Sequence, residues 1–336
     1  MSGTNAEGAG ATPPGLIDCQ SHVSSEEFLS ILERRKESPC IVREGENRIL
    51  IVNEWRRRVP PNLTDIGAKL AYMDRAGIAM SAISMNDPGP ELFGKDSAAM
   101  AVLLNDFIAE TVRNHPTRFF GLASLPFDTP DSMLKEFDRA TGELGLKGIL
   151  LFSNLNGHFP DEEPYRPLFA EAERRGVPIL LHPARPMTLD VTRAYDMSTM
   201  IGMLFDTTVA LLRLILSGVL EEHPNLKLVC PHVGGTLPYL IGRIDYQTMV
   251  MKRGTEHIRR APSEYLKRIW FDSVTQIGLA IRYAVDFAGA DKLLFASDHP
   301  WVQAQPIIEA IDSANLTAEQ RAKVYAGNAR ELFGLN

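Results

Sequence analysis

Several polar side chains that can bind a metal ion stand at the carboxyl ends of predicted β-strands. They are Gln20, His22, His182, His232 and Asp298. A single histidine at a strand end is usually structural, but together these positions converge on one ring. Imidazole nitrogens with a carboxylate suit zinc or manganese, whereas calcium and magnesium prefer oxygen ligands. The residues therefore predict one divalent ion, zinc or manganese, with an open position for water or substrate.

The elements that must position these side chains are eight short apolar segments, which alternate with longer segments of helical periodicity. This alternation is typical of a parallel sheet with crossover helices, and eight repeats predict an α/β fold of the (β/α)8 TIM-barrel type. The barrel is expected to form one domain over residues 15–336. The predicted strands are Leu16–Cys19, Ala79–Met85, Phe119–Leu125, Gly148–Ser153, Val177–His182, Lys227–His232, Ile269–Val274 and Lys292–Asp298.

An insertion, residues 24–61, separates the first two predicted strands. It contains a helical segment, Glu26–Arg35, a β-like run, Arg48–Val52, and a basic stretch. Loops that follow barrel strands build the active-site mouth, so we expect this insertion to lie over the mouth as a lid or substrate loop. After the eighth strand, Ile307–Ala314 and Ala318–Phe333 are predicted to be closing helices.

Three consecutive arginines, Arg56 to Arg58, follow Trp55 within the insertion. Such a run is usually a solvated face. The alternative is that Trp55 and one arginine line the mouth, where they stack on an anionic aromatic substrate and pair with its carboxylate. His299, next to Asp298, is a further candidate to face the pocket. We therefore take Trp55, Arg56, Arg58 and His299 as candidate substrate-binding residues.

The composition favours a small-molecule partner. Lys and Arg number 35 against 42 Asp and Glu, a net charge of -7 that argues against nucleic acid and anionic membranes as partners. The apolar run Leu204–Leu220 contains Asp206 and Arg213, so it predicts a buried or amphipathic helix rather than a membrane span. Three cysteines without a CxxC motif favour a reducing cytoplasm. Residues 1–14 are small, polar and rich in Gly and Pro, and are expected to form a disordered tail.

Five motifs, taken in their order and strand placement, make the sequence resemble the amidohydrolase superfamily and, within it, the aminocarboxymuconate-semialdehyde decarboxylase-like branch. The resemblance spans nearly all of residues 15–336. The motifs are IDCQSH (Ile17–His22), ILLHPAR (Ile179–Arg185), LVCPHVGGTLPYLIGRID (Leu228–Asp245), FASDHP (Phe295–Pro300) and GNARELFGL (Gly327–Leu335).

The resemblance implies a role for each site residue. A mononuclear metal would be held by Gln20, His22, His182 and Asp298, with His232 as an acid/base near the metal. Arg243, in the helix after the sixth strand, would bind a substrate carboxylate, often in a neighbouring subunit. The resemblance therefore also implies a homodimer or higher homo-oligomer. Gln20 departs from the pattern, because the family usually has histidine there and some aromatic-acid decarboxylases have glutamate.

Three functions remain open from the sequence. The first is a metal-dependent, non-oxidative decarboxylase of a small aromatic or unsaturated carboxylic acid, with His232 or Asp298 as the proton donor. The second is a hydrolase or hydratase in which the metal activates water for attack on an amide, a lactone or a C–C bond. The third, prompted by Gln20, is a barrel that has lost catalysis and acts as a binding protein. We favour the decarboxylase.

Overall fold

The computed structural model describes residues 15–335 as a nearly closed barrel of eight parallel strands, with helices outside and a small antiparallel sheet inserted after the first strand. The predicted tail, residues 1–14, lies outside the described residues. The strands are β1 (Leu16–Asp18), β2 (Cys40–Glu44), β3 (Asn47–Val52), β4 (Trp55–Arg58), β5 (Ile78–Ile83), β6 (Phe119–Ala123), β7 (Gly148–Phe152), β8 (Ile179–His182), β9 (Leu228–Cys230), β10 (Trp270–Asp272) and β11 (Leu293–Leu294).

The barrel follows chain order, β1-β5-β6-β7-β8-β9-β10-β11, so each predicted strand is present in the predicted sequence of neighbours. Its strands are mostly apolar because both faces are covered; all five residues of β7 are apolar and buried, for example. The seam between β1 and β11 is closed just beyond the strand ends. There the Cys19 N–H donates to Phe295 O at 2.9 Å and the Asp298 N–H donates to Gln20 O at 2.9 Å. The predicted TIM-type barrel is confirmed.

The helices alternate with the barrel strands and pack outside them, and several continue directly into 3-10 or π-helical turns. Gly77 and Gly176 end two of them with positive φ angles of 70° and 64°, a conformation that glycine adopts without strain. The helices are α1 (Glu26–Arg34), α2 (Ile66–Ala76), α3 (Ser97–Asn114), α4 (Pro130–Asp138), α5 (Arg166–Arg175), α6 (Leu189–Thr192), α7 (Met203–Leu216), α8 (Val219–Glu222), α9 (Leu237–Asp245), α10 (Pro262–Leu266), α11 (Gly278–Ala288), α12 (Ala304–Ser313), α13 (Ala318–Ala322) and α14 (Asn328–Phe333).

The insertion, residues 24–61, contains more regular structure than predicted. Helix α1 begins at the N-cap Ser25, whose side chain accepts the Phe28 N–H at 3.0 Å, and its buried face includes Leu32. Beside it lies an antiparallel sheet in the order β2-β3-β4. The run of arginines that predicted only a basic stretch is the strand β4. It follows β3 through a two-residue turn in which Asn53 has a φ of 53°.

One helical stretch, Ala194–Leu216, is long and apolar enough to cross a membrane by those two criteria alone. In the fold, this stretch packs against the outside of the barrel strands. Asp206 within it is buried and accepts the Met187 N–H at 3.0 Å and an Asn154 side-chain N–H at 2.8 Å. The same stretch buries Leu211 and Leu214 against the core, which matches the predicted buried or amphipathic helix.

Candidate metal centre and active site

Three side chains from distant parts of the chain meet at the carboxyl end of the barrel. His22 follows β1, His182 ends β8 and Asp298 follows β11, and all three are buried. One ligand atom from each lies within 4.8 Å of the others. His22 Nε2 is 3.1 Å from Asp298 Oδ1, and His182 Nε2 is 3.9 Å from the same oxygen. This cluster has the ligand types and spacing of a divalent-metal site.

The second ring nitrogen of each histidine is fixed by a neighbouring oxygen. Ser84 Oγ lies 3.2 Å from His22 Nδ1, and the His182 Nδ1–H donates to Pro183 O at 2.8 Å. These contacts leave Nε2 of both rings toward Asp298, as metal-binding histidines require. His182 Nε2 is buried and has no hydrogen-bond partner within residues 15–335. A buried acceptor of this kind is what a metal ion satisfies, so the donor set fits the predicted ion.

The charge states of these ligands also suit a cation. Burial lowers the pKa of His22 to about 4, which keeps its imidazole neutral. Burial alone would raise the pKa of Asp298, but the surrounding His182, His22 and His232 hold it well below the usual value and keep the carboxylate ionised. Neutral imidazoles with one anionic carboxylate are the protonation states in which these groups ligate metals.

Gln20 lies beside the same carboxylate. Its Nε2 donates to Asp298 Oδ1 at 3.1 Å and its side chain is fully buried. Its Oε1 is a buried acceptor that no described group donates to. The structure therefore brings all four predicted ligands together.

His232, which follows β9, stands next to this cluster. Its Nε2 is 3.8 Å from Asp298 Oδ2, and its backbone N–H donates to Asp272 Oδ1 at 2.6 Å. Burial alone would lower the pKa of His232, but the carboxylates of Asp298 and Asp272 raise it above its ordinary value. A raised pKa favours the protonated imidazole, which is the form that can act as a general acid.

A cavity of about 890 Å³ opens above these residues and has the size of a small-molecule site. His182, His232 and Asp298 face it from the barrel. Its remaining wall is mostly apolar and aromatic, with contributions from the insertion and from the loops and helices after β8, β9, β10 and β11. Wall residues include Trp55, Arg57, Met203, Leu204, Val274, Tyr283 and Trp301.

Arg57 is the arginine of the insertion that reaches this cavity. Its guanidinium pairs with Asp87 and lies over two indole rings, 4.8 Å from the centroid of Trp55 and 5.1 Å from that of Trp301. Arg56 is exposed and pairs with Glu44 at 2.5 Å, and Arg58 is also exposed. Side chains alternate between the faces of a strand, so 55 and 57 share one side of β4 while 56 and 58 share the other. Trp55 and Arg57 therefore line the cavity, whereas Arg56 and Arg58 lie on the other face of β4.

His299 does not reach the cavity either. Its side chain is buried on the other side of Asp298, where Nδ1 lies 3.2 Å from Lys69 Nζ and the ring stacks on Tyr72 at 3.8 Å between centroids. Asp298 has a φ of 56°, so the chain turns at this residue, and His299 lies toward the core while Asp298 faces the cavity. His299 therefore packs in the core beneath Asp298 and does not line the substrate cavity.

Arg243 lies in α9 and is exposed, outside the wall of the cavity of its own chain. Within one chain it is not part of the site.

Two buried carboxylates support the site and were not among the predicted residues. Asp272 binds the His232 backbone, as described above. Asp18 accepts the backbone N–H of Ser297 at 2.9 Å and its hydroxyl at 2.6 Å, and so ties β1 to the segment that carries Asp298. A sequence signal existed for both, since each is an acidic residue inside a predicted strand that is otherwise apolar.

Known proteins of similar sequence share this fold and chemistry. A 2-amino-3-carboxymuconate-6-semialdehyde decarboxylase from Dictyostelium discoideum is 30% identical over 86% of this chain and 82% of its own length. The crystal structure of 5-carboxyvanillate decarboxylase from Sphingomonas paucimobilis is 26% identical, with a TM-score of 0.84 over 96% of this chain and 99% of that one. A dihydroxybenzoic acid decarboxylase from Polaromonas sp. JS666, solved with bound manganese and the inhibitor 2-nitroresorcinol, is 27% identical, with a TM-score of 0.79 over 96% of this chain and 97% of that one.

His22, His182 and Asp298 thus form a divalent-metal site of a kind that holds manganese in a solved relative. The family model for amidohydrolases matches residues 17–335, which is nearly the whole chain. The relatives, the barrel and the ligand cluster agree with that match. This chain belongs to the amidohydrolase family.

Proposed function

We propose that this protein is a metal-dependent, non-oxidative decarboxylase of a small aromatic carboxylic acid. The observation that carries the proposal is that a metal site, a protonatable histidine and a cation for the substrate's charge all adjoin one cavity, which His182, Asp298, His232 and Arg57 line. The similarity to decarboxylases of aromatic and unsaturated acids supports it.

The positions of the side chains suggest a role for each of them in the reaction. A divalent ion at His22, His182 and Asp298 supplies positive charge that stabilises negative charge on the substrate. His232 donates a proton to the ring carbon that carries the carboxylate, whereas the ionised Asp298 serves as a metal ligand. The bond from that carbon to the carboxylate then breaks, its electron pair returns to the ring, and carbon dioxide leaves. Water from the open cavity restores the proton to His232.

Arg57 binds and orients the substrate in this proposal. Its guanidinium is held by Asp87 and by the faces of Trp55 and Trp301, so little side-chain entropy is lost when it pairs with an anionic group. The same indoles offer stacking surface to an aromatic ring. The insertion that carries Trp55 and Arg57 would then act as the lid of the site, and residues 15–336 as one catalytic domain.

We further propose a homodimer in the cytoplasm that supplies Arg243 to the neighbouring site. All but two of the exposed large apolar side chains of the described residues lie between residues 187 and 283. They belong to adjoining helices: Thr208 of α7 lies 3.0 Å from Thr236 beside α9, and Tyr283 of α11 bonds to Pro238 of α9. Exposed apolar side chains grouped on adjoining helices favour a protein interface, and the exposed Arg243 belongs to one of these helices, α9. The three cysteines are free and buried, in keeping with a reducing compartment.

Product analysis tests the reaction. The protein loaded with Mn²⁺ is incubated with hydroxybenzoic, dihydroxybenzoic and carboxyvanillic acids in ¹⁸O-labelled water, and carbon dioxide and the aromatic product are measured. We expect stoichiometric carbon dioxide, no ¹⁸O in the aromatic product, and a fall of at least about a thousandfold in Asp298→Asn. Solvent ¹⁸O in the product would show the hydrolase or hydratase instead. Ligand binding without turnover of any acid in a broad panel would show a binding protein.

A subunit-mixing experiment tests the shared site. Arg243→Ala and Asp298→Asn are purified separately, each with little activity, then unfolded, mixed and refolded together. If Arg243 acts across the interface, each mixed dimer contains one complete site and activity returns. If Arg243 acts within its own chain, mixing restores nothing, and if it has no role, Arg243→Ala is fully active before mixing. Refolded wild type serves as the control for recovery.

A further inference from the structure

A small cavity of about 160 Å³ lies beside the substrate cavity, and the pair of Arg57 and Asp87 separates the two. Asp87 Oδ1 holds Arg57, and the Asp87 side chain is only 1% exposed. Its second oxygen, Oδ2, is buried, and no group within residues 15–335 donates a hydrogen bond to it. Glu91 lines the same small cavity, and its Oε2 is likewise buried without a described partner. Two partnerless carboxyl oxygens thus belong to the wall of one small cavity.

The backbone makes room for the Glu91 carboxyl group in this wall. Gly89 has no side chain, and a Cβ at that position would overlap the Glu91 carboxyl group and the ring of Phe152. The carboxyl group therefore packs against backbone and an aromatic ring instead of turning to solvent. Two acids that share such a site do not both ionise without penalty, because their like charges repel. One proton between them removes the repulsion and gives both partnerless oxygens a hydrogen bond.

The groups around the two acids indicate which one keeps the proton. Asp87 pairs with the guanidinium of Arg57, which favours its ionised form. Arg185 also lines the small cavity, but its guanidinium pairs with a glutamate of the insertion. Burial and the charges of nearby acids raise the pKa of Tyr165, so its hydroxyl stays neutral. Burial and the Asp87 charge raise the pKa of Glu91 to about 8, so Glu91 is the protonated acid at neutral pH.

We propose that Glu91 is a positioning residue for Arg57: its protonated carboxyl group donates to Asp87 Oδ2 across the small cavity and fixes the carboxylate that holds the guanidinium. This inference rests on the proposed function, in which Arg57 binds the substrate's charge. A carboxylate bonded at both oxygens does not rotate, so the guanidinium keeps one orientation. Loss of the proton places a second negative charge behind Arg57 and weakens its attraction for an anion. Glu91 itself lies outside the wall of the substrate cavity.

Infrared spectroscopy tests the protonated acid without a substrate. The Mn²⁺-loaded protein is labelled with ¹³C at the glutamate side-chain carboxyl carbon, and the C=O band of a protonated carboxyl group is followed with pH. We expect a labelled band that disappears as the pH rises through about 8 and that is absent from Glu91→Gln. The control Glu163→Gln changes a side chain that is 93% exposed and should keep the band. Absence of the band in the wild type would overturn the proposal.

Calorimetric titration with benzoate tests the positioning role. Benzoate is an aromatic carboxylate without the hydroxyl group that activates the ring, so its binding is measured apart from turnover. Glu91→Leu removes the donor, whereas Glu91→Gln keeps an N–H donor. We expect Glu91→Leu to weaken benzoate binding at pH 6 by at least about threefold, with the wild-type affinity retained in Glu91→Gln. Between pH 6 and pH 9, the affinity of the wild type should fall at least about threefold more than that of Glu91→Gln.

A double-mutant cycle separates positioning from a general effect on the fold. If Glu91 acts through Arg57, Glu91→Leu should weaken benzoate binding no further once Arg57→Ala is present. Additive losses in the double variant, or equal affinities of Glu91→Leu and the wild type, would show that Glu91 does not position Arg57, and the proposal would be wrong. None of these measurements involves turnover. A product analysis that finds no decarboxylation would therefore overturn the proposed function and leave these results to decide the role of Glu91.

Discussion

His232 is held in a backbone conformation that it would not adopt alone. Its φ is 54°, and that of the following Val233 is also 54°, although non-glycine residues and above all β-branched ones avoid positive φ. Asp272 stabilises this turn by accepting the N–H groups of His232 at 2.6 Å and Val274 at 3.0 Å. Asp272 is therefore a positioning residue, because it places the imidazole over Asp298 without lying in the wall of the cavity.

Removal of this acceptor should impair catalysis more than metal binding. We expect Asp272→Ala to lower kcat by at least about tenfold, with the dissociation constant for Mn²⁺ within about twofold of the wild type. Asp272→Asn keeps an acceptor oxygen and should recover part of kcat. Steady-state kinetics and metal titration of both variants check this. A loss of metal affinity as large as the loss of kcat would assign Asp272 to the metal site instead.

We expect Glu91 to make the stability of the protein depend on pH. Burial raises the pKa of Glu91 to about 8, and the Asp87 carboxylate adds to the rise. Asp87 is paired with Arg57, and Arg185 lines the same small cavity of about 160 Å³ as both acids. Since the folded-state pKa lies above the ordinary value of 4.5, this group stabilises the fold fully below about pH 4.5, and the contribution is lost as the pH rises through 8.

Glu91→Gln, which resembles the protonated acid, should remove this dependence. We expect Tm of the wild type to fall more between pH 6 and pH 9 than Tm of Glu91→Gln. In the wild type, a rise in pH makes it costly either to ionise the buried carboxyl group or to keep it protonated, whereas the amide of glutamine does not titrate. Thermal unfolding of both proteins across that range measures the difference. Parallel curves would show that Glu91 ionises in the fold without penalty.

The strand β4 shows how an element selects which residues can function. Trp55 and Arg57 face the cavity, whereas Arg56 and Arg58 face away from it, although all three arginines are adjacent in sequence. The register with β3, in which Leu50 opposes Arg57, fixes this choice because Leu50 is buried in the core. A shift of one residue would exchange the two sets.

This alternation supplies a matched pair of variants. We expect Arg57→Ala to raise KM for an aromatic acid by at least about tenfold, since a charged hydrogen bond to the substrate is lost. Arg56→Ala removes the same side chain from the exposed face and should leave KM unchanged. Steady-state kinetics on both variants compare them, with Tm as the check on folding. Equal effects on KM would mean that the positive charge of the insertion, rather than the position of Arg57, attracts the substrate.

The eight barrel strands and the strand-end residues were predictable because apolar segments and polar ends are local patterns. The direction in which individual side chains point was harder to predict from the sequence. For Arg56 to Arg58, the prediction required knowing which alternate residues of β4 face the cavity. The run of arginines contains no alternation of apolar and polar residues that would indicate this. His299 was assigned to the pocket because it adjoins Asp298, whereas its actual neighbours, Lys69 and Tyr72, are more than two hundred positions earlier in the chain.

At the scale of the whole molecule, the metal site connects the first and the last strand of the barrel, β1 and β11. Gln20 and His22 follow the first strand and Asp298 follows the last, and the seam between those strands contains only a few direct backbone bonds, such as the bond from the Asp298 N–H to Gln20 O. An ion held by both sides therefore crosslinks the seam. Binding to the folded state alone stabilises it by mass action.

Metal should accordingly raise the stability of the entire chain. At a free Mn²⁺ concentration of about 100 times the dissociation constant, we expect the free energy of unfolding to increase by about 2.7 kcal/mol and Tm by a few degrees. Asp298→Asn should lose most of this increase, while Arg243→Ala should keep it. Calorimetry with and without metal measures both. An undiminished increase in Asp298→Asn would place the stabilising ion at another site.

The closure of the seam also has a consequence for the order of events during synthesis. His22 and Asp298 are 276 residues apart, so the first ligand leaves the ribosome long before the last one exists. The ring of strands, and with it the complete set of ligands, can assemble only when nearly the whole chain has been made. The protein must therefore acquire its ion after translation, and a chain truncated before Asp298 would be unable to retain one.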